Sequence, residues 1–493
     1  MTPRHVVIVG AGPAGLAAAD AALAAGARVT LVDEAEQPGG QFHRMLPEAY
    51  AAEHPERLHH GWRAFDARRR RVLAHPRCTW WSETAVWALE RPAEPGPPRV
   101  HVLRGPADGA GRTRQTLDPD ALVLAVGAYD RVLPFPGWEL PGVFTAGAAQ
   151  ALAKGERVVV GDQVVVAGSG PFLLPVAASL IEAGARVRAV LEANTRATLA
   201  RGWGRRPWEL VAEGGKALEL AEYAGVLGRH RVPYRTGHTV VEARGDGRVE
   251  EVVTARLRGD WTVVPGSERT VAVDAVCVSH GFSPQLELPL AAGCALRGDF
   301  VEVDGDQRTT CPDVYAAGEI TGIAGAPAAR VEGALAGWLA AGGDRNSTAV
   351  ARLRTRRDQG RAFAARLARA HPVGAAWTDW MRPDTVVCRC EETDYATVCR
   401  AATDTSTAAP RAAKLTTRAG LGPCQARICG PTVAEIGARL RGPDGADPHV
   451  EGLPPASAHR RPVARPIRLG DLAATPETTD PRTGNSRTEE SNS

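Results

Sequence analysis

Four of the nine cysteines in this chain form two close pairs near its C-terminal end. Cys388 and Cys390 flank a single arginine in "VVCRCEETDYATV", and Cys424 and Cys429 follow in "GLGPCQARICGP" after 33 intervening residues. Two close pairs far apart in sequence suit a metal centre, because each pair supplies two thiolates from one turn. We therefore predict that Cys388, Cys390, Cys424 and Cys429 are metal ligands.

The surroundings of these cysteines favour an iron-sulfur cluster over zinc. Zinc also accepts four thiolates, but C-x2-C is its more usual spacing. A [2Fe-2S] centre with four thiolates carries about −2 when oxidised and gains one more negative charge when reduced, so nearby cations ease electron uptake. Four cations lie close in sequence: Arg389, Lys414, Arg418 and Arg427. The segment "GPTVAEIGARL" predicts a helix after Cys429 whose N-terminal dipole faces the cluster, whereas Cys399 is assigned to packing.

Bulk composition indicates a globular chain with several packed cores. Hydrophobic residues make up 44% of 493 positions, and this length predicts about three domains. The net charge of +3 argues against nucleic-acid binding, and the basic run at 68–71 is interpreted as a solvated helix face. No apolar run approaches the roughly 20 residues that span a bilayer. The N-terminus enters a buried strand directly, which leaves no room for a signal peptide, so we expect a cytoplasmic protein with reduced thiols.

The N-terminal segment "HVVIVGAGPAGLAAADAALAAGARVTLVDEA" predicts a βαβ unit that binds a dinucleotide. Gly10 permits the tight turn, Gly12 lets the main chain approach a pyrophosphate, and Gly15 lets the helix lie close to the strand. Asp33, 23 residues after Gly10, is placed to accept hydrogen bonds from a ribose, and Glu34 is a second candidate. The same predicted site includes Pro13, Ala14, Gly40 and Gln41. Glycine-rich helix starts also arise from packing alone, but the order strand, helix, acid favours a binding site.

Two later segments distinguish a flavin from a nicotinamide dinucleotide. "DALVLAVGAYDRVLPFPG" predicts a strand ending at Gly127. "TTCPDVYAAGEITGIAGAPAARVEGALAG" predicts a strand, then Gly318 and Glu319, then a helix with Pro327 at its start. Both segments resemble those that complete the FAD domain of flavoproteins with the glutathione-reductase fold. The resemblance implies that Glu319 binds the ribityl or pyrophosphate region of FAD and that the helix points its N-terminus at the flavin. Val126 and Glu319 replace a threonine and an aspartate that are usual in that family.

A second, weaker nucleotide motif lies between those segments. In "DQVVVAGSGPFLLPVAASLIEAGARVRAVLEA", Gly168 and Gly170 match the first two fingerprint glycines, but Leu173 occupies the third position. Glu192 ends the second strand, where a carboxylate can bind a ribose, and no arginine follows it immediately to favour NADPH over NADH. Two alternatives stay open: a bound NAD or other adenine nucleotide, or a domain that keeps only the fold.

The combination of motifs resembles a specific family of multi-subunit enzymes. "CRCEE" followed by "TTRAGLGPCQARICGP" is similar to the [2Fe-2S] domain first known from bacterioferritin-associated ferredoxin. Behind the flavoprotein segments, it resembles the FAD-containing subunit of amine and amino-acid dehydrogenases: opine oxidases, D-hydroxyproline dehydrogenases, hydrogen cyanide synthase and, more distantly, the large subunit of sarcosine oxidase. This resemblance implies an electron-transfer subunit with FAD and a [2Fe-2S] cluster. It also implies a separate flavoprotein subunit that oxidises the substrate, and a further candidate partner, a small ferredoxin-like subunit.

The expected fold class is α/β, with two dinucleotide-binding domains and a small C-terminal iron-sulfur domain. We place the FAD domain at 1–150 and 272–345, an inserted NAD-like domain at 151–271 and the cluster domain at 380–440, followed by an extended strap at 441–473 and a disordered tail at 474–493. Redox cysteine pairs typical of disulfide reductases are missing near the predicted flavin site. Two other functions are weighed: a self-contained NADH:acceptor reductase, and a cofactor-bearing assembly scaffold.

Overall fold

The structure of the protein, a computed structural model, describes residues 2–57, 59, 61–107, 109, 111–205, 214–404, 410–441, 461 and 463–473. The predicted tail at 474–493 and residues 442–460 of the predicted strap lie outside the described residues.

The secondary structure alternates strands and helices through most of the chain. The strands are β1 His5–Val9, β2 Arg28–Val32, β3 Cys78–Trp81, β4 Thr84–Glu90, β5 Arg99–Arg104, β6 Thr113–Leu117, β7 Ala121–Leu124, β8 Ala128–Asp130, β9 Val143–Thr145, β10 Gln163–Gly168, β11 Arg186–Glu192, β12 Tyr234–Thr236, β13 His238–Arg244, β14 Glu251–Arg256, β15 Arg269–Ala272, β16 Ala275–Ser279, β17 Phe282–Pro284, β18 Leu296–Arg297, β19 Phe300–Val301, β20 Val314–Ala316, β21 Val386–Cys388 and β22 Thr393–Asp394. The helices are α1 Pro13–Ala24, α2 Trp62–Leu73, α3 Ala146–Gly155, α4 Leu173–Glu182, α5 Arg196–Trp203, α6 Gly214–Arg229, α7 Glu287–Ala292, α8 Ala326–Ala340, α9 Thr348–Ala370, α10 Tyr395–Thr403, α11 Pro410–Thr417, α12 Cys429–Arg441 and α13 Leu469–Ala473.

The first domain is built on a parallel sheet with strand order β20-β7-β1-β2-β3. Every residue of β1 and β7 is buried, as expected for parallel strands covered on both faces. Helices α1 and α8 pack tightly together: a Cβ at Gly333 or Gly337 of α8 would overlap the main chain of Ala14 or Ala18 in α1. The small residues of "PAGLAAADAALA" and "APAARVEGALAG" therefore set the distance between the two helices.

The second domain has its own parallel sheet, with strand order β12-β11-β10-β16-β9. This sheet differs from the predicted limits, since β9 and α3 begin before residue 151 and β16 follows residue 271. The chain crosses between the domains through a short antiparallel pair, β8 with β17.

The C-terminal part of the chain packs against both domains. Helix α9 contacts α8 and α5. The cysteine-bearing segment forms the β21–β22 hairpin and helices α10 to α12. Trp261, Trp377 and Trp380 belong to one apolar core that this segment shares with the second domain. The rings of Trp261 and Trp380 stack with their centroids 5.7 Å apart. Within the described ranges, none of the helices combines the length and apolarity needed to cross a membrane.

Candidate functional site

A cavity of about 1600 Å³ runs between the two domains. We call it the central cavity. Its walls include the predicted dinucleotide residues Gly10, Gly12, Pro13, Ala14, Asp33, Glu34, Gly40, Gln41, Gly127, Gly318 and Glu319. The structure thus brings most of the predicted FAD residues, which come from both ends of the flavoprotein segment, to one site.

The first glycine loop has the geometry that its sequence predicts. Gly10 adopts a φ of +99°, and a Cβ there would overlap the carbonyl oxygen of Ala125. A Cβ at Gly15 would overlap the carbonyl oxygen of Gly10, so the helix start is locked against the strand end. Gly12 differs, because the nearest protein atom to a Cβ there is the Cα of Gly40 at 3.8 Å. Gly12 therefore has protein-free space above it, where a ligand can approach the main chain.

The two predicted ribose acids have different environments. Both oxygens of Asp33 accept main-chain hydrogen bonds, from Ala11 N at 2.6 Å and Ala35 N at 2.8 Å, and burial raises the pKa of this carboxyl. Asp33 thereby stabilises the glycine turn. Glu34 is exposed on the cavity wall and is bound by both Nε and Nη2 of Arg465, at 2.8 and 2.9 Å. Glu34 is thus the acid of the pair whose carboxylate is the more accessible to a ligand.

The late glycine segment forms a second wall of the central cavity. Gly318 has a φ of +81° and its N–H donates to Glu332 Oε2 at 2.9 Å, a contact that the sequence analysis missed. Glu319 accepts a hydrogen bond from Gly325 N at 2.9 Å, which holds the loop before α8. Helix α8 begins at Ala326, with Pro327 in its first turn as predicted, so its N-terminus faces the cavity.

The acid of the second glycine motif is held by internal contacts, whereas a Cβ at Gly170 would meet no protein atom within 4 Å. Glu192 is fully buried, and its carboxylate accepts hydrogen bonds from Gly170 N at 2.8 Å and Asn194 N at 2.9 Å. His371, at the end of α9, lies with Nδ1 3.1 Å from the same carboxylate. A Cβ at Gly168 would overlap the carbonyl oxygen of Ser279. The acid predicted to bind a ribose is thus engaged by internal donors.

The structure brings the four predicted ligand cysteines together. The Cys429 thiol donates hydrogen bonds to Cys388 and Cys424, and Cys390 donates to Cys424. Cys429 is the first residue of α12, so the predicted helix starts at one of these cysteines. Cys399 lies in α10, packed against the neighbouring apolar core.

The electrostatic environment of these thiols is uneven. The hydrogen bond from Cys429 lowers the pKa of Cys388 to about 6 and that of Cys424 to about 5, while these same bonds raise the pKa of Cys429. Main-chain N–H groups of Gly420, Glu391 and Cys390 also bond to Cys388. In the described part of the chain, however, no three His, Cys, Asp or Glu side chains are arranged so that they could hold a metal ion. The four thiols are thus linked by hydrogen bonds, but within the described residues they do not have the arrangement of a metal site.

Arg427 joins the loop between Cys424 and Cys429, which we call the cysteine loop, to the wall of the central cavity. Its Nε lies 2.8 Å from Glu287 Oε1 and 3.0 Å from the Tyr129 hydroxyl, and both of these residues line the cavity. Nη1 donates to Cys424 O at 3.2 Å and Nη2 to Ala464 O at 2.6 Å. Arg427 and Glu287 are buried, with 8% and 6% of their side chains exposed. From the sequence, Arg427 was expected only to contribute positive charge near the cysteines.

Replacing Arg427 with methionine is expected to destabilise the protein, because it removes the cation that lies 2.8 Å from the buried Glu287 carboxylate. Removal of one partner of a buried pair costs about 3–5 kcal/mol. Urea denaturation should show a clearly lowered midpoint, and Glu287→Gln in the same chain should restore part of it. Arg297→Met is the matched control, since its pair with Glu302 is exposed by 76% and 35% and contributes about 0–1 kcal/mol. Equal midpoints for the two single variants would contradict the role of Arg427.

The described end of the predicted strap lies across the first domain. Ala464 N donates to Trp87 O at 2.7 Å, and Ala464 is buried in the core beneath β7. Further along, Arg468 donates to Gly109 O at 3.1 Å and Arg114 to Leu472 O at 2.5 Å. Ala464 and Arg465 line the central cavity, so the strap supplies part of its wall.

Two glycine-loop domains on parallel sheets, meeting at one cavity, define an α/β oxidoreductase of the dinucleotide-binding type. Residues 4–333 match the family described as pyridine nucleotide-disulphide oxidoreductase, and the chain belongs to that family. This confirms the predicted fold of the flavoprotein part. Together with the relatives below, it makes the chain an FAD-dependent oxidoreductase.

Two relatives match almost the whole chain. An opine oxidase subunit of Rhizobium meliloti is 33% identical over 496 residues, which cover 96% of this chain and 88% of the relative. The hydrogen cyanide synthase subunit HcnB of Pseudomonas aeruginosa is 32% identical over 441 residues, covering 86% and 90%. The solved structure of L-proline dehydrogenase from P. horikoshii superimposes with a TM-score of 0.63 at 19% identity, covering 96% of this chain and 79% of that one, which shows a shared fold. The predicted resemblance to the opine oxidase and hydrogen cyanide synthase group is confirmed.

Proposed function

We propose that this chain is the electron-transfer subunit of a multi-subunit amine or amino-acid dehydrogenase and that it holds FAD and a [2Fe-2S] cluster. The observation that carries the proposal is Arg427, which bonds both to the cysteine loop and to the wall of the central cavity. FAD accepts electrons in pairs and a [2Fe-2S] cluster accepts them singly, so the two groups together convert two-electron oxidation into single-electron flow.

The central cavity fits a dinucleotide at its glycine-loop end. Gly12 leaves open space above the N-terminus of α1, whose free N–H groups and positive dipole end suit a pyrophosphate. In our proposal Glu34 binds the ribose, and Asp33 holds the turn through Ala11 N. The N-terminus of α8 faces the flavin end, where it favours negative charge.

The cysteine loops fit a cluster in donor type and surroundings. Cys388 and Cys424 accept hydrogen bonds from Cys429 and from main-chain N–H groups, which favours the thiolate form of these two residues. Arg389, between two of the cysteines, packs its guanidinium 4.0 Å from the ring centroid of Trp138, and burial lowers its pKa to about 10. Arg389 therefore stays charged at neutral pH and balances negative charge on the thiolates.

The relatives support the proposal that this chain has partner subunits. The opine oxidase and hydrogen cyanide synthase relatives are both named as enzyme subunits, and this chain matches them over nearly its full length. We infer that a separate flavoprotein subunit oxidises the substrate and that a small ferredoxin-like subunit is a further candidate partner. We also propose that the complex is cytoplasmic.

A self-contained NADH reductase is the main rival, and the contacts of Glu192 argue against it. The glycine loop and the acid that would bind the adenosine ribose are already bonded to each other and to His371. We predict that one equivalent of NADH or NADPH, added anaerobically to the FAD-loaded chain, leaves the flavin absorbance near 450 nm unchanged. Bleaching within seconds would favour the rival.

Reconstitution tests the proposed function itself. The chain is co-expressed with its partner subunits, and electron transfer from substrate to an external acceptor is measured in the purified complex. We expect activity that is lost when Cys390 is replaced by serine although the complex still assembles. Full activity of that variant complex would instead indicate an assembly scaffold.

A further inference from the structure

The central cavity is larger than the dinucleotide site requires. Ligand sites usually measure about 300–1,000 Å³, whereas this cavity measures about 1600 Å³. The glycine loops and α8 account for one end. The other end lies between helices α3, α4 and α6, and we call it the side compartment. It is lined by Gln150, Lys154, Glu182, Glu219, Tyr223 and His59.

Lys154 places a cation in the side compartment. Burial lowers the pKa of its ammonium group, and the charges of Glu182 and Glu219 partly oppose this effect. Such a half-buried ammonium group is well suited to bind an anion.

His59 supplies a second polar group at the same place. Its ring is 5% exposed and stacks on Trp62 with centroids 5.4 Å apart, and its Nδ1 has no hydrogen-bond partner within the described part of the chain. Burial, followed by the charge of Lys154, lowers the pKa of His59 to about 4. The ring is therefore neutral at pH 7, and it can donate or accept one hydrogen bond to a ligand.

Ordered polar side chains complete the compartment. Gln150 is buried and donates to Ser179 Oγ at 3.3 Å, and the Tyr223 hydroxyl donates to Glu219 at 2.9 Å. Apolar side chains such as Leu174 and Ala178 line the space between them. A few fixed polar groups on apolar walls are typical of a small-molecule site.

We propose that the side compartment binds a small organic carboxylate beside the dinucleotide, with Lys154 pairing with the carboxylate and His59 bonding to a second polar group. This inference rests on the proposed FAD site, since the compartment is the space that FAD leaves free. An amino acid and a 2-oxo acid share this chemistry, and the acids nearby favour the ligand with an amino group.

The test uses the FAD-loaded full-length chain and calorimetric titration with L-alanine, pyruvate, propionate and propionamide. The three carboxylates should bind and the neutral propionamide should not; tighter binding of L-alanine than of pyruvate would identify an amino acid as the ligand. Lys154→Met should weaken carboxylate binding at least about tenfold, as expected for loss of a charged contact. Lys154→Arg should retain it.

Arg186→Met is the matched control, because it removes a cation from an exposed position at the start of β11. It should leave carboxylate affinity unchanged. The proposal is overturned if no carboxylate binds the unmodified chain, or if Lys154→Met binds as tightly as the control. FAD content is measured in the same samples: a fully FAD-loaded chain that binds no carboxylate refutes the side compartment alone, whereas a chain without FAD refutes the proposed function.

Discussion

Replacing Cys390 with serine should remove most of the iron and acid-labile sulfide from the anaerobically purified chain, from about two of each to near none, while FAD stays bound. Cys390 is the most suitable of the four positions for this test, because it is exposed and its replacement by serine disturbs little packing. The FAD residues lie on other elements, so the flavin content should not change. Iron, sulfide and flavin are each measured per chain on the same sample.

Cys399→Ser is the matched control for this experiment. Cys399 lies on α10 and packs against an apolar core, so its replacement should leave both cofactors in place. Full iron content in Cys390→Ser would contradict the ligand assignment. Equal loss of iron in both variants would point to unfolding of the C-terminal part instead.

Gly12→Asp should weaken FAD binding without destabilising the fold. Gly12 is the N-cap of α1 with φ −71°, and the nearest protein atom to a Cβ is 3.8 Å away, so aspartate fits there and is a preferred N-cap residue. Its carboxylate would stand where the pyrophosphate is proposed to bind, and the repulsion should lower FAD affinity by more than about tenfold, or roughly 1.4 kcal/mol. Flavin content and the thermal unfolding midpoint are measured together.

Two further variants separate charge from shape. Gly12→Asn has nearly the same size and no charge, so it should retain more FAD than Gly12→Asp. Gly15→Ala should behave differently from both, because its Cβ would overlap the Gly10 carbonyl and such overpacking costs about 1–3 kcal/mol. Stoichiometric FAD in the Gly12→Asp variant would contradict the proposal that the glycine loop binds the pyrophosphate.

The sequence predicted the parts of the fold that depend on local pattern. The turn at Gly10 and the start of α8 near Pro327 follow from steric rules that act within a few residues. These features could be predicted because neighbouring residues determine them.

Contacts between distant residues could not be predicted in this way. Arg465 is 431 positions from Glu34, and Arg427 meets Glu287 only when the cysteine-bearing segment packs against the first domain. Glu192 has the spacing of a ribose acid, but its burial depends on His371 at the end of α9, which the sequence analysis did not assign to any domain. A motif specifies what a residue can bind, whereas tertiary packing decides which partner it has.

Cofactor analysis of the unmodified full-length chain, purified anaerobically from iron-replete cells, tests the central claim most directly. Flavin is released by heat and identified by mass, and iron, zinc and acid-labile sulfide are measured per chain. We expect about one FAD, two irons and two sulfides per chain, with a rhombic electron paramagnetic resonance signal after reduction. Stoichiometric zinc without iron, or a chain that contains no flavin, would contradict this claim.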